Sequence, residues 1–234
     1  VVASQITAVL TVPGLTSRPP SGLYATDVSA SVAPSLSNIG MVCDGVWSDF
    51  DNDGWLDLLV VNGAVQLLPE LMRKGDPFPL GQPNQLFRNT GSGRFVEIVE
   101  QAGANFQLLE VSRGAAFGDI DNDGDTDVLV TNNNGPARLL LNQLGNRNHW
   151  LGLRLVTKNG RDALGAQVEV VLKKNQVLKR RVRTDGSYLS ANDPRVLVGL
   201  GNVTQVEAVR IRWPDGSVGE FKSPIIDRYI SLKQ

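Results

Sequence analysis

Asp49-Phe50-Asp51-Asn52-Asp53-Gly54-Trp55-Leu56-Asp57 returns seventy residues later as Asp119-Ile120-Asp121-Asn122-Asp123-Gly124-Asp125-Thr126-Asp127. Each stretch sets aspartates at positions 1, 3, 5 and 9 and glycine at position 6. Carboxylates this close in sequence repel one another strongly unless a cation sits among them. Calcium suits them: it takes about six to eight oxygens in a flexible shell, whereas magnesium resists giving up its water for an all-protein cage. The expected ligands of the first site are the side chains of Asp49, Asp51, Asp53 and Asp57 and the backbone oxygen of Trp55. Those of the second are Asp119, Asp121, Asp123 and Asp127 and the backbone oxygen of Asp125, with water completing each Ca2+ shell. Glycine at position 6 allows the sharp turn that aims the oxygens inward.

An EF-hand shares the first half of this pattern but needs Glu at position 12 and a helix on either side. Position 12 is Val60 in one loop and Val130 in the other, inside the apolar runs Leu58-Leu59-Val60-Val61 and Val128-Leu129-Val130. Runs this short and apolar read as buried strands, so the loops join strands. Solvated acidic turns have no need of four carboxylates at fixed offsets twice over.

The residues around the loops carry a family resemblance. Phe117-Gly118-Asp119-Ile120-Asp121-Asn122-Asp123-Gly124 resembles the core of the FG-GAP (VCBS) repeat, a unit of β-propeller blades, and Gly45-Val46-Trp47-Ser48-Asp49 aligns with Gly114-Ala115-Ala116-Phe117-Gly118-Asp119 with one residue fewer. Farther on, Asn148-His149-Trp150-Leu151, Ala163-Leu164-Gly165-Ala166-Gln167-Val168, Gly186-Ser187-Tyr188-Leu189-Ser190, Val198-Gly199-Leu200-Gly201 and Val209-Arg210-Ile211-Arg212-Trp213-Pro214-Asp215-Gly216 are similar to the ASPIC/UnbV domain of the cartilage acidic protein-like family. One departure is Gly160-Arg161-Asp162, where that family usually has Asn-Arg ahead of the Gly-Ala pair. The resemblance spans roughly residues 41 to 222. It implies an all-β chain, a partial β-propeller followed by a small antiparallel β-sandwich, and with it an extracellular, cell-surface or periplasmic location and a role in adhesion, assembly or matrix interaction.

Composition agrees with folded domains: of 234 residues, 41% are hydrophobic and 20% charged. No run approaches the roughly 18 apolar residues that cross a bilayer, so no membrane insertion is expected. Cys43 is the single cysteine, which rules out an intrachain disulfide and reads as a small packed apolar residue. The start at Val1-Val2, without Met or a signal peptide, reads as a processed product or a fragment. Residues 1–149 hold 8 Lys+Arg against 16 Asp+Glu, a charge of −8, and residues 150–234 hold 15 against 8, a charge of +7. Eight of those sixteen acids are the aspartates at positions 1, 3, 5 and 9, so two Ca2+ ions would cancel half of the negative charge.

Three regions follow. Residues 1–40 read as the remnant of an upstream blade or an edge strand, residues 41–148 as two calcium-binding repeats, and residues 149–234 as a β-domain with strands over 150–157, 167–173, 177–183, 206–213 and 229–232. The insertion from Leu67 to Gln82 holds a short helical pattern over 67–74. Two blades do not close a propeller, which takes at least about four. The chain is therefore expected to be the C-terminal part of a longer propeller protein, the alternatives being partners that cover the open faces or packing of both repeats on the C-terminal domain.

His149 is the only histidine and reads as a packed domain-boundary residue rather than a general base. The basic run from Lys173 to Arg183 reads as a hairpin with a solvated face; without interleaved aromatics it does not point to nucleic acid. Trp47, Trp150 and Trp213 are expected in cores and Trp55 with an exposed ring. A cage of four carboxylates leaves few open positions, which favours structural calcium and no catalysis. The expected function is a calcium-binding interaction module with a protein or glycan partner, or self-assembly that completes the propeller. A calcium-dependent hydrolase or cyclase and a lectin-like binder are the alternatives.

Overall fold

The computed structural model describes residues 42–65, 67, 69–75, 79–99 and 102–234. The expectation for residues 1–40 lies outside them, and so does the Cys43 side chain. Among the described residues the chain is all-β, apart from the single-turn helix α1 (Pro69–Arg73) in the insertion and short 3-10 turns. In the first repeat β1 (Val42–Ser48), β2 (Asp57–Asn62), β3 (Gln85–Asn89) and β4 (Phe95–Glu97) form an antiparallel sheet in chain order. The second repeat does the same with β5 (Ser112–Gly118), β6 (Asp127–Asn132) and β7 (Arg138–Leu140).

The acidic loops close the first hairpin of each sheet. Ser48 faces Asp57, and Gly118 faces Asp127. Both first strands bulge at the same point, between Val42 and Asp44 and between Ser112 and Gly114. The one-residue gap read from matching Gly45 with Gly114 is therefore corrected. Asp44 stands opposite Val61 as Gly114 stands opposite Thr131, and the first hairpins of the two repeats keep a constant offset with no residue missing.

Alternation gives each sheet two faces. Val46, Leu59, Val61 and Leu86 of the first repeat share one core with Ala115, Phe117, Val128, Val130 and Leu140 of the second. By register these are unlike faces, because Leu59 corresponds to Leu129, which points away from that core. The repeats thus stack head to tail. Leu129 and Leu139, paired across β6 and β7, are left 39% and 48% exposed on the outer face of the second repeat.

The C-terminal unit contains β8 (His149–Val156), β9 (Gln167–Val171), β10 (Val177–Arg181), β11 (Val196–Gly201), β12 (Ala208–Arg212), β13 (Val218–Lys222) and β14 (Tyr229–Lys233). They form two sheets, in the orders β11-β8-β14 and β10-β9-β12-β13. Leu151, Leu153, Leu155 and Val198 from one sheet and Val168, Val170, Val209 and Ile211 from the other meet in a single core. The wholly antiparallel expectation is corrected here. β14 runs parallel to β8, with Tyr229 beside Gly152 and Lys233 beside Val156, because the chain crosses to the other sheet and back before it reaches that edge. The strands β11 and β13 were not expected; glycines and charged residues dilute their alternation.

Candidate metal centres at the repeat loops

In each loop the chain turns through two left-handed residues at equivalent positions. Asn52 has φ 54° and Gly54 φ 97°; Asn122 has φ 61° and Gly124 φ 96°. Asn tolerates this region and Gly favours it. The turn directs backbone N–H groups at the first aspartate of the loop: the Gly54 N–H donates to Asp49 Oδ2 at 3.2 Å and the Gly124 N–H to Asp119 Oδ2 at 2.9 Å. The ninth position is held from both sides. The Phe50 N–H (3.0 Å) and Asn89 N–H (2.8 Å) donate to the Asp57 carboxylate, and the Ile120 N–H (2.8 Å) and Asn142 N–H (2.9 Å) to that of Asp127.

These constraints bring one oxygen each of Asp49, Asp51 and Asp57 within 4.8 Å of one another, and likewise Asp119, Asp121 and Asp127. Each triad could hold a metal ion. The fifth-position aspartates stand outside the triads: Asp53 Oδ1 accepts the Trp55 N–H at 2.9 Å, Asp123 Oδ1 accepts the Asp125 N–H at 3.2 Å, and Asp123 Oδ2 accepts from the Asn146 amide. Asp49 is buried, and its Oδ1 has no hydrogen-bond partner. An ionised oxygen in that position is costly unless a cation meets it. Burial, with Asp53 and Asp51 adding to it and Arg180 opposing, pushes Asp49 up to about 7. Burial and the neighbouring Asp51 and Asp49 raise Asp57 well above the usual carboxylate range. Burial and Asp123 push Asp125 up to about 8. The clusters are short of positive charge, as a cation site is before it fills.

The profile of the FG-GAP-like repeat family matches residues 49–130, spanning both acidic loops, and that of ASPIC and UnbV matches residues 156–234. The chain thus carries a match to the FG-GAP-like repeat followed by one to ASPIC and UnbV. Cartilage acidic protein 1 of Mus musculus is 27% identical over 191 residues, covering 80% of this chain and 27% of the relative, and the Homo sapiens protein matches to the same extent. Cartilage acidic protein 1 of Xenopus tropicalis is 42% identical over 59 residues, 25% of this chain and 9% of the relative. The chain thus spans about a quarter of the length of the mouse and human relatives.

The ASPIC and UnbV domain reaches both loops of the FG-GAP-like region at the same atom. Arg180 Nη2 donates to Asp49 Oδ2 at 3.0 Å and the Tyr229 hydroxyl to Asp119 Oδ2 at 2.9 Å. Arg180 also donates to the Gly54 carbonyl, and Arg195 to the Asp119 carbonyl and Asn122 Oδ1. Arg195 lies 4.2 Å from the Tyr229 ring centroid, and that ring packs on Trp150 at 5.2 Å. The basic run forms the expected hairpin with a solvated face, on which Lys173, Lys174, Lys179 and Arg181 are exposed, while Arg180 and Arg183 turn to the repeats: Arg180 is largely covered at the interface, and Arg183 donates to the Trp47 carbonyl. Asn192 and Ser187 accept N–H groups of Phe117 and Ala115, so this domain also covers part of the β5 edge.

The two loops are joined to each other as well. Asn52 Nδ2 donates to the carbonyls of Gly124 (2.7 Å) and Gly145 (3.0 Å), and Asn148 Nδ2 to that of Asp51 (2.7 Å). Asn52, Asn148 and Arg180 lie in stretches quoted above but were not singled out for these contacts, and neither Arg195 nor Tyr229 was singled out from sequence. Asn89 and Asn142 do carry a local signal, since Leu86-Phe87-Arg88-Asn89 and Leu139-Leu140-Leu141-Asn142 each follow a loop strand. The tryptophans fall as expected for Trp150 and Trp213, which are buried, and for Trp55, which is 42% exposed; Trp47 is half-buried, edge-on to Phe95. His149 Nδ1 lies 2.8 Å from Asp227 Oδ2 at the start of β8. Among the described residues no helix is long and apolar enough to cross a membrane.

Proposed function

We propose that the chain is a calcium-stabilised, non-catalytic interaction module of an extracellular or cell-surface protein, two blades of a partial β-propeller closed at one end by a small β-sandwich. The observation that carries this reading is the duplicated triad, one member of which, Asp49, holds a buried, unpartnered Oδ1. One Ca2+ per loop supplies the missing countercharge, taken by Asp49, Asp51 and Asp57 and by Asp119, Asp121 and Asp127, with Asp53, Asp123 and the carbonyls of Trp55 and Asp125 as the remaining proposed ligands. Because the same loops carry Arg180 and Tyr229 of the C-terminal domain, ion binding adds to the stability of the whole assembly.

Head-to-tail stacking supports a protein partner or a further copy. The Leu129 and Leu139 face corresponds to the Leu59 and Leu86 face that the second repeat covers in the first. A glycan partner has one observation in its favour, a groove of about 400 Å³ beside the first loop with Trp55, Asn148, Gln176 and Asn202 in its wall. Melting in calcium and in EDTA tests the central reading. Calcium should raise the melting temperature of the parent chain, and Asp51→Ala and Asp121→Ala should each remove part of that gain while changing the EDTA value little. Equal losses in both conditions, or no calcium effect on the parent, would overturn it.

A further inference from the structure

The two loops are alike in fold but not in charge: besides Trp55 against Asp125 and Arg180 against Tyr229, they differ on the neighbouring strand. Leu58 pairs with Phe87 as Val128 pairs with Leu140, and the N–H groups of Asn89 and Asn142 make the same bond to the ninth-position aspartate. Arg88 and Leu141 are therefore the same structural position. At the first loop Arg88 Nε sits 2.6 Å from Asp51 Oδ2, and its Nη2 lies 3.6 Å from Asp53 Oδ2. At the second loop Leu141 is exposed and brings no charge to Asp121 or Asp123.

We infer that Arg88 is a tethered counter-cation that competes with the metal ion for the third and fifth aspartates, making the first loop the weaker of two unequal sites. The inference rests on the metal-binding reading of the triads. A guanidinium bonded to Asp51 must give up that oxygen, or share it with an ion of the same sign a few ångströms away, and either event opposes binding. The pair is half-exposed, so the side chain has room to swing out and the competition is reversible. The first loop therefore fills at higher calcium than the second, and the chain passes through a state with one ion bound.

Calorimetric titration of the whole chain with calcium alone tests this. The parent isotherm is expected to separate into two steps, and Arg88→Leu to tighten the weaker step by about tenfold so that the two draw closer. Leu141→Arg should weaken the tighter step by a similar factor. Both positions are exposed enough that the variants fold, which melting in EDTA checks. Binding in two steps with Arg88→Leu unchanged or weakened would overturn the inference and leave the metal reading standing. No calcium binding by the parent would overturn both.

Discussion

Arg180 Nη2 lies 3.0 Å from Asp49 Oδ2, across 131 residues of sequence and across the boundary between the repeats and the C-terminal domain. Asp49 is buried and Arg180 largely covered, so removing the arginine leaves a buried, uncompensated carboxylate. Arg180→Met is expected to lower stability in EDTA by about 3 kcal/mol. The loss should be smaller in calcium, where an ion meets the same aspartate. Urea unfolding in the two conditions measures the difference.

At the second loop the corresponding donor is neutral. Tyr229→Phe keeps the ring against Trp150 and Arg195 and removes only the bond to Asp119 Oδ2. The expected loss is about 1.5–3 kcal/mol, that of a hydrogen bond to a charged acceptor. A loss near zero in thermal or urea unfolding would mean that this bond adds nothing to the docking.

The sixth-position glycines separate backbone strain from crowding. Gly54 and Gly124 share a φ near +97°, but a Cβ at Gly54 meets nothing closer than 3.5 Å, whereas one at Gly124 would lie 1.9 Å from the Trp150 ring. Gly54→Ala should cost about 1–2 kcal/mol for the left-handed backbone alone. Gly124→Ala should cost about 3 kcal/mol or more, because β8 must also move away. Melting of the two variants side by side, with calcium present, checks the order.

The open face of the second repeat makes a prediction about assembly. If a partner or second copy stacks on Leu129 and Leu139, light scattering in calcium should show a mass above the monomer, and Leu139→Glu should abolish it without lowering the melting temperature by more than a few degrees. A monomer at all concentrations would remove self-association and leave a different partner for that face.

Fold class and the acidic loops were readable because both depend on local spacing. The order of aspartates around Gly54 and Gly124 reports a turn that a few bonds dictate, and the valines and leucines after each loop report a buried strand within a single window. That is why Asp49, Asp51 and Asp57 could be named together, as could Asp119, Asp121 and Asp127. Asp53 and Asp123, at the fifth positions of the same pattern, lie outside the triads and accept backbone N–H groups of the turn.

By itself, then, the sequence determined that this is a strand-rich chain with two equivalent acidic turns and a distinct basic β-domain after them. Only the tertiary structure decided what meets those turns. Arg180, Tyr229 and Trp150 reach the loops because two separate cores bring one end of the C-terminal domain against the loop ends of both repeats, and contacts between residues about 30 to 130 positions apart leave no periodicity to read. The contrast between Arg88 and Leu141 was likewise visible as letters, but it gained meaning only when strand pairing put both at the same place beside an aspartate cluster.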